Sequence, residues 1–136
     1  MSRLTPALLT AALEVPTAHA VTPESLMHDY TEEAHHSTPT FNAPSAALGQ
    51  HFFERKHGEW SCSSCHTINP AAPGRHAVTG KAIAPLAPAA NPKSFRDTAR
   101  VEKWFRRNCN DTLDGPCTAA EKADLIAYLL SVRKGG

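Results

Sequence analysis

Cys62, Cys65 and His66 stand together in CSSCH, the C-x-x-C-H spacing of covalent haem attachment. The spacing has a mechanical reason. Two cysteines three apart on one helical turn can each form a thioether to one of the two haem vinyl groups, and the adjacent histidine then reaches the iron. Cys62 and Cys65 are read as the anchors and His66 as the proximal iron ligand. Other chemistries also use close cysteine pairs, but this setting suits them poorly. A redox dithiol wants a strand before the motif and a helix after it, whereas Thr67-Ile68-Asn69-Pro70 ends any helix at once. A tetrahedral zinc site wants a second close pair, which Cys109 and Cys117, eight apart, do not supply.

The other axial position has no obvious occupant. Small electron-transfer cytochromes fill it with a methionine downstream of the motif, and this chain has only Met1 and Met27, both upstream. A histidine, another donor, or no ligand at all remain. His76 is the one histidine downstream of His66 and lies in a Pro/Gly loop, where a surface position is expected. His28, His35, His36, His51 and His57 lie upstream and read as helix-surface residues. Asn108 is singled out by pattern. Val101, Trp104, Phe105 and Asn108 follow i, i+3, i+4, i+7 spacing on one helix face, with Arg100, Lys103 and Arg107 pointing elsewhere. If that face covers a haem, the Asn108 amide is buried and requires a partner, which the iron or a molecule bound to it can be. An asparagine that ends a helix and satisfies backbone groups is the competing reading, and spacing leaves both open. Cys109 and Cys117, which bound CNDTLDGPC, most simply form a disulfide across a short loop in an oxidising compartment. Such a bridge would fix the end of the Asn108 helix.

The elements that must position these residues are helical. Thr22 caps a first helix, with Pro23 in its first turn and Leu26, Met27, Tyr30 and Ala34 at roughly helical spacing. Ser45 caps a second, running to about Lys56, with Leu48, Phe52 and Phe53 on one face. Residues 67–96 hold five prolines and two glycines without periodicity, a loop long enough to require a functional reason. A helix over Thr98 to Asn108 follows, then a turn at Asp114-Gly115-Pro116. Thr118 and Glu121 form the capping box of a last helix with Leu125, Leu129 and Val132 on one side. The fold class expected is all-α, about four helices around one covalently bound haem, with a long Pro/Gly-rich loop and no strand. Five Phe, two Trp and two Tyr are few for a core, so something besides side chains fills the interior.

Length and charge bound the rest. The 136 residues suit one domain. MSR is basic, Leu4 to Val15 is mainly apolar despite Glu14, and Ala18-His19-Ala20 has the small-x-small form of a signal-peptidase site. Residues 1–20 are therefore expected to be a cleaved signal peptide and residues 21–136 a monohaem domain exported to the periplasm. The apolar run is too short and interrupted for a membrane anchor. Cleavage removes Arg3 and Glu14, so 14 minus 13 becomes 13 minus 12 and the net charge stays +1. That balance argues for neither nucleic acid nor an anionic membrane as partner.

Four blocks carry a resemblance: CSSCH, TGKAIAPLAPAANP (79–92), RVEKWFRRNCND (100–111) and CTAAEKADLIAYLLS (117–131). From about Tyr30 to Ser131 the chain resembles the family of sphaeroides haem protein (SHP) and cytochrome c double-prime, with AHHSTPTFNAPS closer to the second. The resemblance implies a class I cytochrome c-like fold, one haem c, and a disulfide between Cys109 and Cys117. In this family the residue before the helix-terminal cysteine is an iron ligand that detaches on reduction, a histidine in cytochrome c double-prime and an asparagine in SHP. Asn108 occupies that position, so the resemblance implies the SHP-type site. It further suggests binding of O2, NO or CO, electron delivery from a dihaem cytochrome c or a membrane cytochrome b, and nitric oxide dioxygenation as a candidate activity. A simple six-coordinate electron carrier and a redox or gas sensor acting through the Cys109–Cys117 bridge are the alternatives. For the sensor, Arg100, Lys103, Arg106 and Arg107 would be the docking patch.

Overall fold

Each long helix begins where a side chain can take up orphan backbone amides. In the computed structural model, which describes residues 20–135, Thr22 Oγ1 accepts from the Ser25 amide and Ser25 Oγ from the Thr22 amide, both at 3.0 Å. This opens α1, Pro23–Ser37, which buries Pro23, Leu26, Tyr30 and Ala34. Ser45 caps α2, Ala46–Glu54. The Thr118–Glu121 capping box opens α5, Ala119–Ser131, whose Ala123, Leu125, Ile126 and Leu129 are almost fully buried. The leader expected at residues 1–20 lies, apart from Ala20, outside the described residues. Among the described residues no helix is long and apolar enough to cross a membrane.

The apolar face of α2 is turned by one residue from the sequence expectation. Leu48 is 60% exposed, and Gly49 faces inward with Phe52 and Phe53. The reason is a close crossing: a Cβ on Gly49 would lie 1.9 Å from the Asp124 carbonyl oxygen of α5. Asp124 strengthens the crossing by accepting the Ser45 amide on Oδ1 at 2.7 Å. Apolar periodicity cannot show that the residue turned inward is the one with no side chain.

Between α2 and the third long helix lie α3, the five residues Cys62–His66, and the loop of residues 67–96. The fold is helical throughout, as expected, with one addition. Strands β1 (Gly74–Arg75) and β2 (Ala82–Ile83) pair antiparallel in a two-residue ladder inside the loop. The turn between them is closed by His76 N to Lys81 O at 2.8 Å and Gly80 N to His76 O at 2.9 Å, with Gly80 at φ +70. Strands this short leave no alternation in the sequence.

Helix α4 runs from Thr98 to Leu113, five residues beyond the expected end at Asn108, and stops at Asp114 in a left-handed conformation. Val101, Phe105 and Cys109 form its buried stripe. It is also tied to α1 and α5 through one carboxylate. The Tyr30 hydroxyl donates to Glu102 Oε1, and Lys122 Nζ lies 3.2 Å from Glu102 Oε2. Burial pushes the Glu102 carboxyl up, but the hydrogen bonds from Tyr30 and Lys122 outweigh it and leave the group below its usual value of 4.5. A carboxyl depressed on folding stabilises above its unfolded pKa, and that contribution is lost as pH falls through the folded value. Asp124, pushed up by burial against the Ser45 hydrogen bond, acts in the opposite sense. Comparison with Glu102→Gln isolates the first effect: the variant should be less stable than the parent at pH 7, with the gap closing below about pH 4. Urea titrations from pH 7 to 3 would measure it, and a pH-independent gap would assign the stabilisation to something other than the carboxylate charge.

Candidate haem site

Helix α3 is a single turn held by its own serines. The Ser64 amide donates to Ser61 Oγ at 3.2 Å and the Ser61 amide to Ser64 Oγ at 3.0 Å, while Thr67 at φ +60 stops the turn. Cys62 and Cys65 therefore sit one turn apart with His66 beside them, both as half-buried free thiols. Burial, with a smaller contribution from Cys65, pushes the Cys62 thiol up to about 11. The hairpin closes over the motif: a Cβ on Gly74 would meet the Cys65 carbonyl oxygen at 2.2 Å, and the Ala77 amide donates to Cys65 Sγ at 3.3 Å. Neither Gly74 nor Ala77 has a signal in the sequence, since a Pro-rich loop carries no periodicity.

His66 is 7% exposed and its Nδ1 is buried without a hydrogen-bond partner among the described residues. Burial lowers its pKa, which keeps the imidazole neutral, the state that donates to a metal. Its ring stands edge-on to Trp104 at 6.0 Å, and Trp104 also meets Phe95 at 6.2 Å and Phe105 at 5.0 Å. His66 and Asn108 line two neighbouring clefts of about 270 and 190 Å³. A third, of about 450 Å³, shares Trp104 and Arg100 with the first and is walled by Leu86, Phe95 and Val101.

The geometry of α4 removes one reading of Asn108. With five helical residues beyond it, Asn108 does not cap the helix end. The expected single apolar face is in fact two stripes: Val101, Phe105 and Cys109 turn to the core, while Trp104 and Asn108 are half-buried at the cleft. Asn108 Nδ2 donates to the Trp104 carbonyl at 2.8 Å, and its Oδ1 takes no hydrogen bond among the described residues. Arg100, Lys103 and Arg107 do not point elsewhere, as the helical wheel implied; they line the same cleft as His66 and Asn108. Long basic side chains on neighbouring turns reach round to a stripe that their Cα positions do not face.

His76 is exposed yet also lines a cleft with Cys65, His66 and Asn108, its Nδ1 accepting the Val78 and Thr79 amides at 3.2 Å. His28, His35, His36 and His51 are exposed on α1 and α2. Cys109 and Cys117 form a disulfide, with Cα atoms 5.6 Å apart, that joins α4 to the residue before the α5 cap. Replacing both by serine should cost about 2.5 kcal/mol through loop-closure entropy, measurable by urea unfolding. A loss of unfolding free energy less than half that size would show that the bridge acts little on the unfolded chain.

A neutral imidazole whose buried Nδ1 has no partner among the described residues, two thiols one turn apart, and neighbouring clefts of about 270 and 190 Å³ that His66 and Asn108 both line fit a haem. With a helical scaffold, they define a small c-type cytochrome. The comparisons agree. A family model described as a domain of unknown function, DUF1924, matches residues 39–129. Cytochrome c'' of Methylophilus methylotrophus is 47% identical over 116 residues, 82% of this chain and 81% of that protein. Its oxidised crystal structure superposes with a TM-score of 0.75 at 47% identity, covering 81% of this chain and 94% of that one. The structure of oxidised SHP, described as an oxygen binding cytochrome c, gives a TM-score of 0.72 at 39% identity, covering 82% and 97%. The chain belongs to the cytochrome c''/SHP family, whose members are c-type haem proteins with covalently attached haem.

Proposed function

We propose that the protein is a periplasmic, gas-binding cytochrome whose distal ligand, Asn108, occupies the iron when it is oxidised and leaves it on reduction. The observation that carries this reading is Asn108 itself. It is half-buried on the cleft that His66 lines, and its amide oxygen is left without a hydrogen bond among the described residues. A haem bound here would supply an iron that exchanges one electron and takes donor groups from the chain. Cys62 and Cys65 would hold the group by thioethers, and His66, kept neutral by burial, would supply the proximal nitrogen. With its Nδ2 engaged by the Trp104 carbonyl, Asn108 has the carbonyl oxygen to offer, which is where the basic lone pair of a neutral amide resides. Such a hard, weak donor would suit ferric iron and be lost from the softer ferrous ion, so that Asn108 would give way to O2, NO or CO. The description of SHP as oxygen binding supports O2 among these. A further structure of cytochrome c'', described as giving insight into haem-ligand detachment, supports a labile distal ligand.

The finer activity within this reading is nitric oxide dioxygenation, in which O2, NO and one electron give nitrate. The electron requires a donor, for which the family resemblance suggests a dihaem cytochrome c or a membrane cytochrome b. Arg100, Lys103 and Arg107, exposed and without an ion pair among the described residues, offer an acidic donor surface a footing at the cleft mouth. The export signal read at residues 1–20 supports a periplasmic location, with residues 21–136 as the mature monohaem domain.

The test is the spectrum of the dithionite-reduced protein before and after CO. A high-spin reduced form that binds CO rapidly is expected. A low-spin form indifferent to CO would instead favour a six-coordinate electron carrier, a reading that His76 at the cleft edge keeps in play.

A further inference from the structure

We propose that Glu102 is the positioning residue that sets how far Asn108 reaches across the cleft. The inference rests on Asn108 being the distal ligand. A side chain bound weakly to a metal tolerates little displacement, and the helix that carries it must be fixed in both height and roll. The apolar stripe of Val101, Phe105 and Cys109 resists lifting of α4, but apolar contact is not directional. Directional ties are few. The disulfide pins α4 at Cys109, next to Asn108. A helix pinned at one point still pivots and rolls, so a second directional tie is needed.

Glu102, six residues earlier, is placed to be that tie. Its carboxylate takes the Tyr30 hydroxyl from α1 and Lys122 Nζ from α5, so three helices share one side chain. The Lys122–Glu102 pair is the one salt bridge among the described residues. Lys122 Nζ also lies 4.8 Å from the Tyr30 ring centroid and 5.5 Å from that of Phe105. The Tyr30 ring stands perpendicular to Phe105 at 5.7 Å. Phe105 in turn meets Trp104, whose ring faces His66 and whose carbonyl holds the Asn108 amide. A roll of α4 that broke the Glu102 contacts would carry Trp104 and Asn108 with it.

The experiment uses the haem-loaded, ferric protein at neutral pH and reads the ratio of high-spin to low-spin haem in its visible spectrum. Glu102→Gln should raise that ratio at least about tenfold, the size that losing one charge-assisted hydrogen bond gives. Tyr30→Phe, which leaves the ion pair, should raise it by a smaller factor, about threefold, and supplies the answer if Glu102→Gln does not fold. Ile126→Val, a fully buried α5 change away from the cleft, should lower the unfolding midpoint and leave the spin ratio unmoved. That separates positioning from general loosening. If Asn108→Ala leaves the ferric spectrum unchanged, the ligand reading itself fails. If Asn108→Ala turns high-spin while Glu102→Gln and Tyr30→Phe keep the parent ratio, the ligand reading stands and the positioning role of Glu102 is overturned.

Discussion

Asn108→Ala is expected to turn the oxidised protein from low-spin to high-spin while leaving the spectrum of the reduced protein as it was. The asymmetry follows from the proposed cycle: the amide is on the iron in one oxidation state and off it in the other, so its removal is felt in only one. Ala keeps the helix, having the best propensity of any residue, and Asn108 is interior to α4 rather than at its end, so the loss should be one of ligation rather than folding. The intrahelical bond from Nδ2 to the Trp104 carbonyl is lost too, but that carbonyl keeps its place in the helix. Asn108→His gives the converse result, a ferric form ligated more strongly, because imidazole is the better donor. Electronic absorption of both variants in both oxidation states is sufficient to check this. An alanine variant with the parent ferric spectrum would clear Asn108 of ligation and turn attention to His76.

Gly49→Ala should cost about 3 kcal/mol and lower the thermal midpoint by more than about 10 °C. Its added methyl group would stand 1.9 Å from the Asp124 carbonyl oxygen and 2.9 Å from Tyr128 Cβ. Nothing flexible can yield, since the first obstacle is the backbone of α5. The two helices must part, which strains the Ser45–Asp124 hydrogen bond and the Phe53–Tyr128 ring contact. Alanine's better helix propensity returns only about 1 kcal/mol, which is included in that figure. Differential scanning calorimetry of the holoprotein would read the shift, and a midpoint within about 3 °C of the parent would show that α2 and α5 can separate without loss.

The helical frame was legible because its starts are chemical. Thr22, Ser45 and Thr118 each stand before an apolar-periodic run and cap it through their own hydroxyls. Ends were harder to read. Asn108 looks like a stop signal in sequence, yet α4 runs on to Leu113 and it is Asp114, at the start of the expected turn, that adopts the left-handed conformation that stops it. CSSCH and Asn108 stand out in the sequence by spacing alone, and the structure brings His66 and Asn108 to one cleft. The cleft's surroundings were not legible. Arg100, Lys103 and Arg107 read as pointing away from the cleft they line because a helical wheel records Cα directions and not the reach of a long side chain. Glu102 gave no signal, since its partners lie 72 residues before it and 20 after it. Long-range pairing of single polar residues leaves no trace in local periodicity.

The hairpin over the attachment motif makes one position intolerant of any side chain. A Cβ on Gly74 would meet the Cys65 carbonyl oxygen at 2.2 Å, so the backbone of β1 rests directly on the backbone of CSSCH. Substitution there has no flexible neighbour to absorb it and would push residues 74–83 off the motif. The loop is a clasp whose fit depends on one missing methyl group.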